Sequence, residues 1–196
     1  MSSTDIDRLI ILHLADLEDA MRRIGDLQAK IATVMDDIMR ECADAAGWSG
    51  TFDWNRTGIK SFPKDWIVNE EKNDQDAFFE LSTLNNFDED EYWLTSLCRS
   101  VKSEYGFRFN QNIVAPKRKW HAFIRSYSEE ITKSGFILDE IPSLFLPVHV
   151  DGTKLAEAVA DGDIKSALEP LREAYNRLIV ARPLFDALME KAKALH

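Results

Sequence analysis

A chain of 196 residues with 45% hydrophobic content, five Trp and eleven Phe has enough apolar mass to build a core, which excludes a disordered chain. Its formal net charge of −10 argues against general nucleic-acid binding, which needs positive charge facing phosphates. No run approaches the roughly 18 apolar residues of a membrane span, and the polar, acidic opening segment is unlike a secretory signal, so the sequence predicts a soluble protein of the cytoplasm.

The first element is a single helical pattern from Thr4 to Ala46 without proline. Ile10, Leu17, Ile24, Ile31 and Ile38 recur every seven residues, and Leu14, Met21, Gln28, Met35 and Cys42 recur beside them, which makes a heptad seam. Thr4 with Asp7 forms a loose capping box, and Gly47 supplies the stop. Such a helix runs to about 65 Å, longer than the roughly 40 Å diameter of a compact chain of this size. Its stripe therefore needs cover from the chain's own C-terminal helices, from a second copy, or from a foreign protein. Gln28 is a candidate register-setting polar residue, Gly25 a candidate weak point, and His13 is expected to pack near the seam.

Residues 47–64 are turn-rich and aromatic, and read as a connection lying on a sheet. Trp66 to Val68 and Ala77 to Leu84 suit two strands joined as a hairpin through a polar turn. Asp88, Glu89, Asp90 and Glu91 supply the acidic first turn of a helix over about 88–104. Tyr105 to Gln111 alternates as a strand, and Pro116 opens a helix over 117–133. Phe136 to Leu138 and Leu144 to Val150 read as the last strands. Thr153 caps a short helix, Asp161-Gly162-Asp163 breaks it, and a stripe from Ile164 to Met189 continues, with Pro170 and Pro183 kinking or restarting it. The predicted fold class is α+β: a long N-terminal heptad-patterned helix packed with C-terminal helices, plus a small mostly antiparallel sheet with two flanking helices. Its parts are residues 1–46, 47–152 and 153–196.

Chemical motifs are sparse. There is no glycine-rich phosphate loop, GxSxG or HExxH, and neither Cys42 nor Cys98 has metal-ligand spacing, so reduced core thiols are expected. Asp65 with Glu70 and Lys72 could hold a divalent metal through hard oxygen ligands and place a lysine near a phosphate, as a metal-dependent phosphodiesterase or nuclease requires. Lys117, Arg118, Lys119, His121 and Arg125 form a basic cluster beside Trp120 that could grip a phosphate or an acidic partner while the ring stacks. His149 and Asp151 sit at a strand end but lack a nucleophile or third ligand.

The assembly features outweigh the catalytic ones. The sequence predicts a non-enzymatic interaction or regulatory module with no cofactor and no metal. It homo-oligomerises through Ile10, Leu17, Ile24, Ile31 and Ile38, or binds a partner with its acidic half, Asp88 to Glu91 included. A sharper version makes that half a nucleic-acid mimic inhibiting a basic, nucleic-acid-binding protein. The enzymatic alternative rests on Asp65, Glu70 and Lys72.

Overall fold

The heptad pattern folds as α1 (Ser3–Leu12) and α2 (Leu14–Ala46) in a computed structural model that describes residues 3–69, 74–84, 93–98, 105–112, 115–138 and 144–195. The expected unbroken helix is interrupted at one residue, His13. Its N–H is shared between the carbonyls of Leu9 at 3.1 Å and Ile10 at 3.2 Å, and its own carbonyl accepts from Leu17 N at 3.0 Å, so the hydrogen-bond ladder runs on across the break. At the far end Gly47 takes φ 68°, and its N–H donates back to the carbonyls of Ala43 and Asp44, satisfying groups that a helix end leaves open.

Six strands form an antiparallel sheet in the order β1-β2-β5-β6-β8-β7: β1 (Trp48–Asp53), β2 (Gly58–Pro63), β5 (Ala77–Thr83), β6 (Tyr105–Gln111), β7 (Ile137–Leu138) and β8 (Leu144–Pro147). Segment 47–64, expected as a connection, is instead a hairpin. Asp53 O accepts from Arg56 N and Thr57 N, and Gly58 sits at φ 72°, where a side chain would be strained. Trp66 belongs to a 3₁₀ turn, Lys64–Trp66. The hairpin expected between 66–68 and 77–84 is replaced by a separate pairing of β3 (Ile67–Asn69) with the short β4 (Asp74–Gln75), and β5 joins β2 and β6 instead. Burial explains the exchange: Ala77, Phe78, Phe79 and Leu81 are all buried, as a central strand requires.

Between strands lie α3 (Trp93–Cys98), α4 (Lys117–Arg125) and α5 (Ser128–Lys133). The last two replace the expected continuous helix because Ser126 N and its hydroxyl both donate to Phe123 O, tightening the turn. The C-terminal layer is α6 (Gly152–Asp161), α7 (Ile164–Ala167) and α8 (Glu169–Ala192), with a last 3₁₀ turn at Lys193–Leu195. Asp151, not Thr153, caps α6: its Oδ1 accepts from Thr153 N at 2.8 Å and Lys154 N at 3.2 Å. Those backbone donors, Lys154 first, hold the Asp151 carboxyl below its usual range. Pro170 restarts the chain in the first turn of α8, whereas Pro183 lies inside α8 without ending it.

The lower part of α2 packs on β1 and α8. Ring contacts knit the sheet to this layer. Phe79 meets Trp48 at 5.8 Å, Trp66 at 5.6 Å, Phe109 at 5.5 Å and Phe185 of α8 at 5.1 Å, while Tyr175 of α8 meets Trp48 at 5.5 Å and shares a hydrogen bond with Ser61 of β2. Gly106 in β6 has no room for a side chain, since a Cβ there would lie 2.1 Å from Leu146 O on the paired strand. On the surface Glu41 of α2 accepts from Lys165 Nζ at 2.7 Å and Arg172 at 3.0 Å, clamping α2 to α7 and α8.

Two outcomes check this packing. Phe79→Ala should lower the unfolding free energy in urea by about 3–5 kcal/mol, since it empties the aromatic hub. The hydrogen bonds from Lys165 and then Arg172 hold the Glu41 carboxyl below its ordinary value. A depressed carboxyl adds stability above its unfolded value and loses it as pH falls through the folded one. Glu41→Gln should therefore flatten the decline of the urea midpoint as pH falls below about 4.5, a glutamate's ordinary value.

Candidate functional site

The predicted seam residues divide into two groups. Ile31 and Ile38 are 0% and 1% exposed, buried in the chain's own core with Met35 and Cys42, so most of their surface is covered in cis. Ile10 and Leu17 are exposed, with Leu14 and Met21 beside them, and Ile24 lies half-buried at the boundary. Every residue from 4 to 23 is exposed. The helix thus leaves the body as an arm of about 30 Å whose apolar row has no cover among the described residues.

Two parts of the arm differ. From residue 15 to 23 the back of the helix is polar, with Arg22 pairing to Asp19 at 3.1 Å and Arg23 to Asp19 at 3.5 Å. His13, expected to pack, instead faces solvent with Nδ1 3.6 Å from Asp16 Oδ2. At the tip the back is mixed: Ile11 and Leu12, 75% and 65% exposed, stand among Thr4, Asp5 and Arg8 on the side away from the seam. A helix with apolar side chains on both its faces is served by enclosure on more than one side.

At the arm's base lies a groove of about 480 Å³, lined by Ile24, Leu27, Ile31, Leu94, Thr95, Cys98, Gly152, Leu155, Ala156 and Val159. It separates α2 from α3 and α6, and its lining is overwhelmingly apolar. Gln28 stands on the same turn of α2, and its Nε2 is shielded from solvent without a hydrogen-bond partner among the described residues. Cys98 and Cys42 are both free thiols, and burial pushes both above their ordinary range.

The other candidates are dispersed. Asp65 accepts a charged hydrogen bond from Arg182, which also pairs with Asp186 at 3.3 Å, while Asp186 receives Trp66 Nε1 at 2.7 Å. This network fastens the 3₁₀ turn to α8. Glu70 and Lys72 lie outside the described residues, as do Asp88, Glu89, Asp90 and Glu91. Among the described residues no three His, Cys, Asp or Glu side chains gather as a metal site. Lys117, Arg118 and Lys119 are exposed, but Trp120 is buried against Phe109 at 5.9 Å and cannot stack on a ligand. His121 is held below its ordinary pKa by burial first and then by Lys117 and Arg125. His149 is exposed beside a capping Asp151.

Asp36 is the one acid of α2 turned inward, with its Oδ1 accepting from Trp54 N at 2.9 Å. Burial raises its carboxyl, opposed by that backbone donor and helped by the charge of Asp53. A raised carboxyl gives stability that is full at low pH and fades as pH rises through its folded value. Asp36→Asn keeps the acceptor and should leave stability at pH 7 unchanged or raise it slightly. Asp36→Ala should cost about 1–3 kcal/mol by orphaning the Trp54 N–H, as urea unfolding at neutral pH would measure. At a concentration where the chain is monomeric, the amides of residues 4–23 should exchange with deuterium far faster than those of 31–46.

Among the described residues no helix is long and apolar enough to cross a membrane. Comparison of the chain with protein-family models, with characterised proteins and with solved structures finds no match.

Proposed function

We propose that this protein is a non-enzymatic interaction module whose N-terminal arm joins two copies of the chain. The observation that carries the reading is the exposed row Ile10, Leu14, Leu17, Met21 on a helix whose later seam residues, Ile31 and Ile38, are buried, with Ile24 half-buried between the two groups. One seam thus serves the fold at one end and association at the other. A heptad row is self-complementary, since the same knobs and holes occur on each copy, and a two-fold interface uses one patch twice. The acidic-inhibitor version has less behind it. Glu41, Asp65, Glu80 and Asp186 each face a base of the same chain.

Light scattering coupled to size exclusion tests the reading. The protein should run as a dimer whose mass is unchanged between low and high salt, because apolar burial is not screened. Leu17→Asp should weaken association by at least about a hundredfold, since it buries two unpaired carboxylates at the seam. The urea midpoint of the monomeric variant should stay that of the intact body. A wild-type monomer at high micromolar concentration overturns the proposal, and salt-sensitive capture by a basic protein favours the acidic-inhibitor version instead.

A further inference from the structure

We infer that the two arms pair antiparallel, each copy inserting the apolar tip of its arm into the groove at the base of the other's. This rests on the self-association reading and adds to it a direction and a second contact surface. Three observations carry it. The first is steric. The body sits on the seam side of α2, since Ile31, Met35, Ile38 and Cys42 of that seam are the residues it buries. In a parallel pair both bodies would occupy the seam side at the same height, where the partner helix must also lie. An antiparallel pair sends the bodies to opposite ends.

The second observation is the tip itself. A single partner helix covers one stripe, which suffices for the polar-backed shaft but leaves Ile11 and Leu12 bare. The groove offers walls on two sides, from α2 and from α6 with α3, and its volume of about 480 Å³ suits a few aliphatic side chains. The third is position. Pairing about a point between Leu17 and Met21 sets Leu14 opposite Ile24 of the other copy and Ile10 opposite Gln28, so that Ile6, Ile10 and Ile11 arrive at Leu27 and Ile31. In that register Asp7, on the seam row of Leu14 and Met21, comes within a turn of Gln28, whose buried Nε2 lacks an acceptor. A carboxylate there satisfies the amide and fixes the register, as single polar seam residues do in coiled coils.

Electron-spin distance measurements decide the direction. Nitroxide labels are placed at Thr4→Cys and, separately, at Asp19→Cys, both in a Cys98→Ser chain with the buried Cys42 left in place. The expected separations are on the order of 45 Å between the two Thr4 positions and under about 20 Å between the two Asp19 positions. Two short distances in a dimer overturn the antiparallel arrangement and leave self-association standing. A monomer overturns both, including the monomer in which the tip folds back at His13 onto its own groove.

Ala156→Asp, on the exposed rim of α6, tests the groove. It should weaken the dimer at least tenfold while leaving the body's urea midpoint in place. An antiparallel dimer that is indifferent to this charge overturns the insertion of the tip.

Discussion

The burial of Ile31, Met35, Ile38 and Cys42 against the C-terminal helices and the sheet sets the position of everything else. Because those four side chains lie on one face of a stiff rod, fixing them fixes the direction in which the rest of the rod leaves the body. The rod runs on past the residues that the body buries, so part of its apolar row lies outside. A shorter helix with the same pattern would be an ordinary core element. Here the excess length turns a packing stripe into a surface.

The body is stiffened across its layers. Its sheet and α8 are joined by rings in mutual contact, with Phe185 reaching Phe109 at 4.5 Å and Phe136 at 4.9 Å. Polar contacts pin the same helix at three heights: Glu41 to Arg172, Tyr175 to Ser61, and Asp65 to Arg182. The exposed pairs add little energy individually. Their value is geometric, because they fix the rotation of α8 and therefore of α2, whose seam must face the groove side of the base.

Period carried much of this into view from the sequence. The long helix, strands 77–83 and 105–111, the C-terminal stripe and the break at Gly162 all follow from 3.6- or 2-residue repeats with clear stops. The hairpin at 48–63 was hidden because small and polar residues interleave its Trp48, Phe52, Ile59 and Phe62, leaving glycines as the loudest local signal. Strand partners were misread for a different reason: β5 pairs across a sheet whose order depends on long-range burial, which no local window contains. At the site the seam was legible but its division was not. Nothing in the repeat of isoleucines says that burial ends between Ile31 and Ile24, since which part of a row is covered depends on distant elements of the chain. The apolar Ile11 and Leu12 on the back of the tip are legible in the sequence.

The placement of the aromatic rings has an optical consequence. All five tryptophans, Trp48, Trp54, Trp66, Trp93 and Trp120, lie in the body, and residues 1–46 contain no Trp, Tyr or Phe. Intrinsic fluorescence and near-ultraviolet dichroism therefore see the aromatic core and are blind to the arm, while far-ultraviolet dichroism registers the arm strongly because it is wholly helical. If the arm frays before the body melts, the two signals will part in a denaturation curve without any rearrangement of the core. Non-coincident curves would then report a loosened appendage rather than a partly folded intermediate.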